Sequence, residues 1–270
     1  MKRRAFLSAG AALGVAPVLG MTGLENNFGQ PAPQARQQYF EWITYQLPLG
    51  NRQRLLSQYY RDVAIPALNR AGINNIGVFN IRHGHGVNNT ALHVIIPHPT
   101  LESIETVNDK LLDDRSFVQA GANVLNSGLS EMAFVSMEKT IMKAFTHLPE
   151  MQIPTQKREN RARIFQVRVY EAPSLTASKR KVEMFNEGGE IAIFKKTGLQ
   201  PIFFGETIAG SMMPNLVYML AFDDFEEMGK AWDTFRVDPD WVKLRDDPYY
   251  AETVSRIHDW IWTPAAFSQI

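Results

Sequence analysis

From Tyr39 onward the chain switches between short runs dense in aromatic and β-branched residues and longer stretches with an apolar residue every third or fourth position. Residues 39–47 and 163–171 have the first pattern and predict strands. Residues 51–71 place Leu56, Tyr59, Val63 and Ala67 on one helical stripe that ends at Gly72. Pro66 falls inside this stripe and requires a kink or a restart, because it has no N–H to donate and its ring crowds the preceding turn. A matching stripe of Val182, Phe185, Gly189 and Ile193 ends at Gly198. Within it, Gly188-Gly189 predicts either a helix break or a close approach through the missing side chains. Residues 73–81 and 90–97 predict a strand pair joined by a loop over 82–89, and 199–208 with 215–222 predict another joined by 209–214. Thr100, and Asp223 or Asp224, suit the N-caps of the helices that follow, and 137–144 and 254–262 predict closing strands.

The same order of elements appears twice, and the sequence repeats with it. A shift of 124 residues lays 92–120 on 216–244 without a gap, matching Leu92, Glu102, Asp109, Asp114 and Val118 with identical residues. Upstream, a shift of 125 lays Tyr39-Phe40-Glu41-Trp42 on Ile164-Phe165-Gln166-Val167 and Tyr45 on Tyr170. A shift of 126 lays Ala71-Gly72-Ile73 on Thr197-Gly198-Leu199. Each copy reads βαββαβ, the ferredoxin-like unit. A sheet with helices on one face leaves its other face apolar, and two such sheets can cover each other by closing into a barrel. The expected fold is therefore α+β, with two ferredoxin-like repeats (38–150 and 160–270) forming a dimeric α+β barrel within one chain.

The start of the chain differs in kind. Lys2-Arg3-Arg4 precedes fifteen uncharged, mostly small or apolar residues, 5–19. That is too short for a comfortable membrane span and reads as a signal peptide over 1–20, followed by a linker over 21–37. Arg3-Arg4-Ala5-Phe6-Leu7 resembles the twin-arginine export signal, which is favoured here over a Sec signal with the same basic start. The expected location is the periplasm or the exterior, with no membrane span once the signal is removed. There is no cysteine, which excludes disulfides, thiolate metal sites and a cysteine nucleophile. Twenty-eight basic residues balance twenty-eight acidic ones, and no basic cluster offers a surface for nucleic acid.

Phe185-Asn186-Glu187-Gly188-Gly189-Glu190, 214–220, Ala231-Trp232 with Phe235, Asp238-Pro239-Asp240-Trp241 and Trp262-Thr263-Pro264 together resemble the NIPSNAP domain. The resemblance runs from about 163 to 270. The first copy follows through the internal alignment, with Arg115-Ser116-Phe117 standing where Pro239-Asp240-Trp241 does. The resemblance implies the dimeric α+β barrel and says little about chemistry.

Phosphate-loop, nucleophile-elbow and zinc-helix motifs are absent, and Gly84-His85-Gly86 lacks the context of a dinucleotide site. The catalytic candidates are His83 and His85, which could ligate a metal or move a proton, and Glu206, which the 124 shift sets against Arg82. Each has an ordinary surface reading beside the functional one, and no metal site is assigned. Tyr45, Arg82 and Tyr170 are candidate ligand-binding residues near strand ends. Trp232, Trp241, Trp260 and Trp262 read as packing or interface residues. The leading functional expectation is small-molecule binding in a barrel cleft. The alternative is a periplasmic enzyme of monooxygenase or isomerase type. The cofactor is unknown, although export of folded protein would suit one loaded beforehand, and a homo-oligomer is compatible with the family.

Overall fold

The computed structural model describes residues 36–49, 53–84 and 91–270. The signal peptide, all but the last two linker residues, and His85 lie outside them. Eight strands form: β1 Tyr39–Gln46, β2 Gly77–Gly84, β3 Ala91–His98, β4 Ser136–Ala144, β5 Ile164–Glu171, β6 Gln200–Ala209, β7 Asn215–Phe222 and β8 Arg256–Pro264. They close a barrel in the order β1-β3-β2-β8-β5-β7-β6-β4 with every pairing antiparallel. Each half keeps the ferredoxin-like order, β4-β1-β3-β2 and β8-β5-β7-β6, and the seams β2–β8 and β4–β6 join the halves. Closure leaves no sheet edge to attract another chain, and it is reached within one polypeptide.

Strand alternation divides the apolar residues into three cores. Inward-facing Phe40, Phe79, Phe165, Phe203, Met219 and Trp262 fill the barrel. Outward-facing residues pack under the helices of each half, including Leu92, Val94 and Ile96 in the first and Leu216, Tyr218 and Leu220 in the second. One end of the barrel is sealed by Met151, Ile153 and Ile270, which join the interior core. Arg163 and Lys157 anchor this end by donating to the carbonyls of Ile270 and Ser268 at 2.6 and 2.8 Å.

The first half carries helices α1 Gln53–Tyr59, α2 Ile65–Arg70, α3 Leu101–Asp113, α4 Arg115–Ala120 and α5 Ala122–Leu125. A short α6, Thr155–Arg158, lies in the connection, and α7 Leu175–Phe185, α8 Glu190–Lys196, α9 Phe225–Val237 and α10 Pro239–Arg245 belong to the second half. The tension at Pro66 resolves as a π-helical turn, Tyr60–Ala64, between α1 and α2, in which the Ile65 N–H donates to the Tyr60 carbonyl. Widening the helix by one residue removes the demand for a donor at the proline without ending the helix. The second half solves the equivalent place differently. Gly189 adopts φ +87° and separates α7 from α8, while a Cβ on Gly188 would lie 2.6 Å from the Met184 carbonyl. Both alternatives read from the glycine pair hold. Thr100 caps α3, and Asp224 rather than Asp223 caps α9. Asp223 instead accepts from the Gln156 amide and pairs with Arg161.

The loop expected over 82–89 is shorter than predicted. Arg82, His83 and Gly84 extend β2, because β8 pairs with it as far as Gly84 opposite Trp260. That partner strand comes from the other end of the chain, so local sequence gave no sign of it. Among the described residues, no helix is long and apolar enough to cross a membrane.

Candidate functional site

Two clefts lie between sheet and helices, one in each half and at equivalent places. The second-half cleft, about 460 Å³, is lined by more charged side chains. Along β5 the side chains of Phe165, Val167 and Val169 enter the barrel, leaving Gln166, Arg168 and Tyr170 on the face toward the helices. Asp259 on β8, Lys181 on α7, Glu190 at the start of α8, and Trp232 and Trp241 from α9 and α10 also line it, with Arg236 of α9 a further cation.

Arg168 is the centre of this arrangement. Its guanidinium lies 5.3 Å from the Tyr170 ring and 5.2 Å from the Trp232 ring, close enough for cation–π attraction to both. It donates to the Tyr218 hydroxyl at 3.2 Å, and its Nε approaches Asp259 at 3.3 Å without hydrogen-bond geometry. Burial opposes its charge, but Tyr218, Tyr170 and Asp259 outweigh burial and raise its pKa. Around it the network is continuous. The Tyr170 and Tyr218 hydroxyls are 2.9 Å apart, Trp232 donates to Gln166 at 2.7 Å, and Gln166 donates to Asp259. Burial pushes Tyr170 up to about 12 and Tyr218 well above its ordinary value, so both act as neutral donors.

The break between α7 and α8 places a second buried charge pair. Lys181 donates to Glu190 at 2.9 Å, with the two side chains 7% and 3% exposed. Burial raises the Glu190 pKa despite Lys181, so the ion pair offsets only part of the desolvation. The carboxylate begins α8, where the helix dipole also favours it. The cleft offers fixed donors, a central cation and aromatic walls.

The first-half cleft, about 340 Å³, puts Ile43 where Arg168 stands and Val94 where Tyr218 stands. Its charges are Glu41 and Lys139, 2.5 Å apart, with His98 at 3.4 Å. Burial raises the Glu41 carboxyl, but hydrogen bonds and attraction from His98 and Lys139 outweigh it and hold its pKa down. Tyr45 points into this cleft, its hydroxyl 2.8 Å from that of Tyr60, which the π turn carries.

The structure thus puts Tyr45 and Tyr170 at matching positions in different clefts. Arg82 is exposed, with its guanidinium 5.1 Å from the Phe225 ring, and His83 is exposed beside an open depression it shares with Phe225, Met228 and Asp259. Both belong to the β2–β8 seam, whereas Glu206 faces Lys143 across the β4–β6 seam. His83 and Glu206 are not brought together. Glu206 is also not the counterpart of Arg82. Pairing with Leu92 and Leu216 makes Asn80 its equivalent, because β2 and β6 keep the 126 shift while β3 and β7 keep 124. The two-residue difference belongs to the hairpin loops, where a gapless alignment could not see it. Among the described residues, no group of three or more His, Asp or Glu side chains could hold a metal ion.

Sequence reasoning missed Arg168, Lys181, Glu190 and Asp259. The alternate polar residues Gln166, Arg168 and Tyr170 between apolar neighbours were a readable signal for the first. No local pattern marked the others.

The 165–269 segment carries the whole polar cleft. It matches the NIPSNAP family. The matched segment begins inside β5 and ends one residue before Ile270, so it supplies every residue named for the second-half cleft. A NIPSNAP-like domain protein from Burkholderia xenovorans is 20% identical over 40% of this chain and 89% of its own, with a TM-score of 0.35. Two longer structures span both halves. A candidate monooxygenase from Fusobacterium nucleatum covers 84% of this chain and 92% of its own at 7% identity and TM-score 0.54. Another from Lactobacillus acidophilus covers 84% and 94% at 9% identity and TM-score 0.52. These two likenesses are of fold, the dimeric α+β barrel. No curated protein sequence matches the chain.

Proposed function

We propose that the NIPSNAP-half cleft binds a small, planar, largely apolar molecule through an acidic or carbonyl oxygen held by Arg168. The observation that carries this reading is a half-buried guanidinium set between two aromatic faces at the wall of a 460 Å³ cleft. A cation so placed is only partly neutralised by Asp259, and its aromatic neighbours suit a flat ligand. Binding is favoured over turnover because the tyrosines stay protonated and Glu190 is committed to Lys181. The monooxygenase descriptions of the two fold relatives therefore lend no chemistry to this cleft.

The test is a fluorescence titration with 2-naphthoate, read through the tryptophans, on the wild type and on Arg168→Ile, which installs the residue found in the first half. Loss of a charge-assisted hydrogen bond is expected to weaken binding at least about tenfold. Equal affinity of the two proteins would remove Arg168 from the site. The reading also takes the protein to be exported, on the strength of Lys2-Arg3-Arg4 and the apolar run after it. Protein isolated from its native source should lack these residues, and an intact mass that includes Met1 would contradict export.

A further inference from the structure

A separate cavity of about 190 Å³ opens into the barrel at the end where β1 finishes and β3 begins. It is lined by Trp42, His93, Trp260 and Trp262, with Thr44 and Thr140 beside them. The opposite end of the barrel is filled by Met151, Ile153 and Ile270, so the cavity is blind.

Hydrogen bonding fixes the chemistry of His93. The Trp42 indole N–H can only donate, and it lies 3.1 Å from His93 Nδ1. Nδ1 is therefore an acceptor, and the Thr44 hydroxyl at 3.1 Å competes with the indole for its one lone pair. Burial keeps the imidazole neutral, pushing its pKa down to about 3. A neutral ring that accepts at Nδ1 carries its proton on Nε2. That Nε2–H is buried without a hydrogen-bond partner, and so is the indole N–H of Trp262, whose ring stacks on His93 at 4.5 Å. Two cavity-lining side chains, 4% and 0% exposed, thus each leave one donor unsatisfied.

Packing alone does not explain this set. The second half holds Val167, Val169 and Val217 where the first holds Trp42, Thr44 and His93. The equivalent place in the same barrel is filled by apolar residues, and the first half departs from it at three positions that contact one another. Among the described residues no Lys or Arg lines the cavity, while Glu138 does, so an anion is disfavoured. The volume suits a single aromatic ring with a small substituent, since an apolar cavity of about 150 Å³ accepts benzene.

We infer that this barrel-end cavity binds a neutral, single-ring aromatic molecule bearing a hydrogen-bond-accepting oxygen, which takes the N–H groups of His93 and Trp262. The site is independent of the outer cleft.

The experiment uses full-length protein labelled with ¹⁵N-histidine, titrated separately with acetophenone, ethylbenzene and benzoate while the His93 ring nitrogens are followed by NMR. The free protein should show the Nε2–H tautomer. Acetophenone should shift the His93 Nε2 resonance and bind about tenfold more tightly than ethylbenzene, the difference expected for one buried hydrogen bond, with benzoate weaker than acetophenone. Trp262→Phe keeps a ring and removes one donor, so it should narrow the preference for acetophenone. If that variant does not fold, the comparison of ligands on the wild type decides. Equal affinity for acetophenone and ethylbenzene would overturn the inference. So would an Nδ1–H tautomer, or a His93 signal unmoved by all three compounds, the result expected if water alone fills the cavity or the probes bind elsewhere.

Discussion

At matching places on β1 and β5, Ile43 and Arg168 face the helices, while one residue away Trp42 and Val167 face the barrel interior. The same exchange recurs on the next strand, where Val94 and Tyr218 face outward and His93 and Val217 face inward. Inside the barrel the first half sets Thr44, His93 and Thr140 among its apolar side chains, and beneath its helices it is mostly apolar. The second half keeps the matching interior positions apolar and carries its charges beneath the helices. A strand offers its two faces to different surroundings, so each copy could change one face while the other kept the packing on which closure depends. Had both copies become polar on the inner face, the interior would have lost apolar burial from both sides at once. Duplication allowed divergence without that loss.

The contrast can be broken most forcefully at the buried pair of the second half. Lys181→Leu should destabilise the protein by about 3–5 kcal/mol in urea unfolding, because Glu190 is left buried and uncompensated. Adding Glu190→Gln should restore most of the loss. The single variant should also recover toward low pH, since burial already raises the Glu190 pKa and protonation removes the stranded charge. Equal stability of the single and double variants would mean that the pair is not energetically coupled.

A smaller and more selective effect belongs to the first half. Burial pushes the His93 pKa down to about 3, against about 6.5 for a solvated imidazole, so the unfolded chain takes up a proton that the folded one refuses. The stability at stake is fully present above pH 6.5 and drains away as the pH falls toward 3, by up to about 1.4 kcal/mol per pH unit. His93→Val, which gives the first half the residue of the second, should flatten this part of the profile even though it leaves the Trp42 N–H without its acceptor. Parallel profiles for the two proteins would show that His93 takes up protons freely in the folded state.

Much of the architecture was legible in residue order. The apolar stripes and the 124–126 shifts located the eight strands to within a few residues and implied a barrel of two βαββαβ units. The errors fell where a partner was remote. β2 ran past its expected end because β8 hydrogen-bonds to it, and the matching of Arg82 with Glu206 failed because the register of a hairpin cannot be read from one strand alone. The candidate site was less legible than the fold. Tyr45 and Tyr170 were placed in clefts, but the cleft of Tyr170 draws its charges from β5, β8, α7 and α8. Nothing near His93 in sequence shows that Trp42 would satisfy one ring nitrogen and leave the other bare.

The sequence by itself determined which elements form, their duplication, and the two faces of each strand, because periodicity and turn chemistry act over a few residues. Closure decided the rest. Only the tertiary structure chose which polar side chains meet, because burial and hydrogen-bond partnership depend on groups more than fifty residues apart, as with Trp42 and His93 or Gln166 and Asp259.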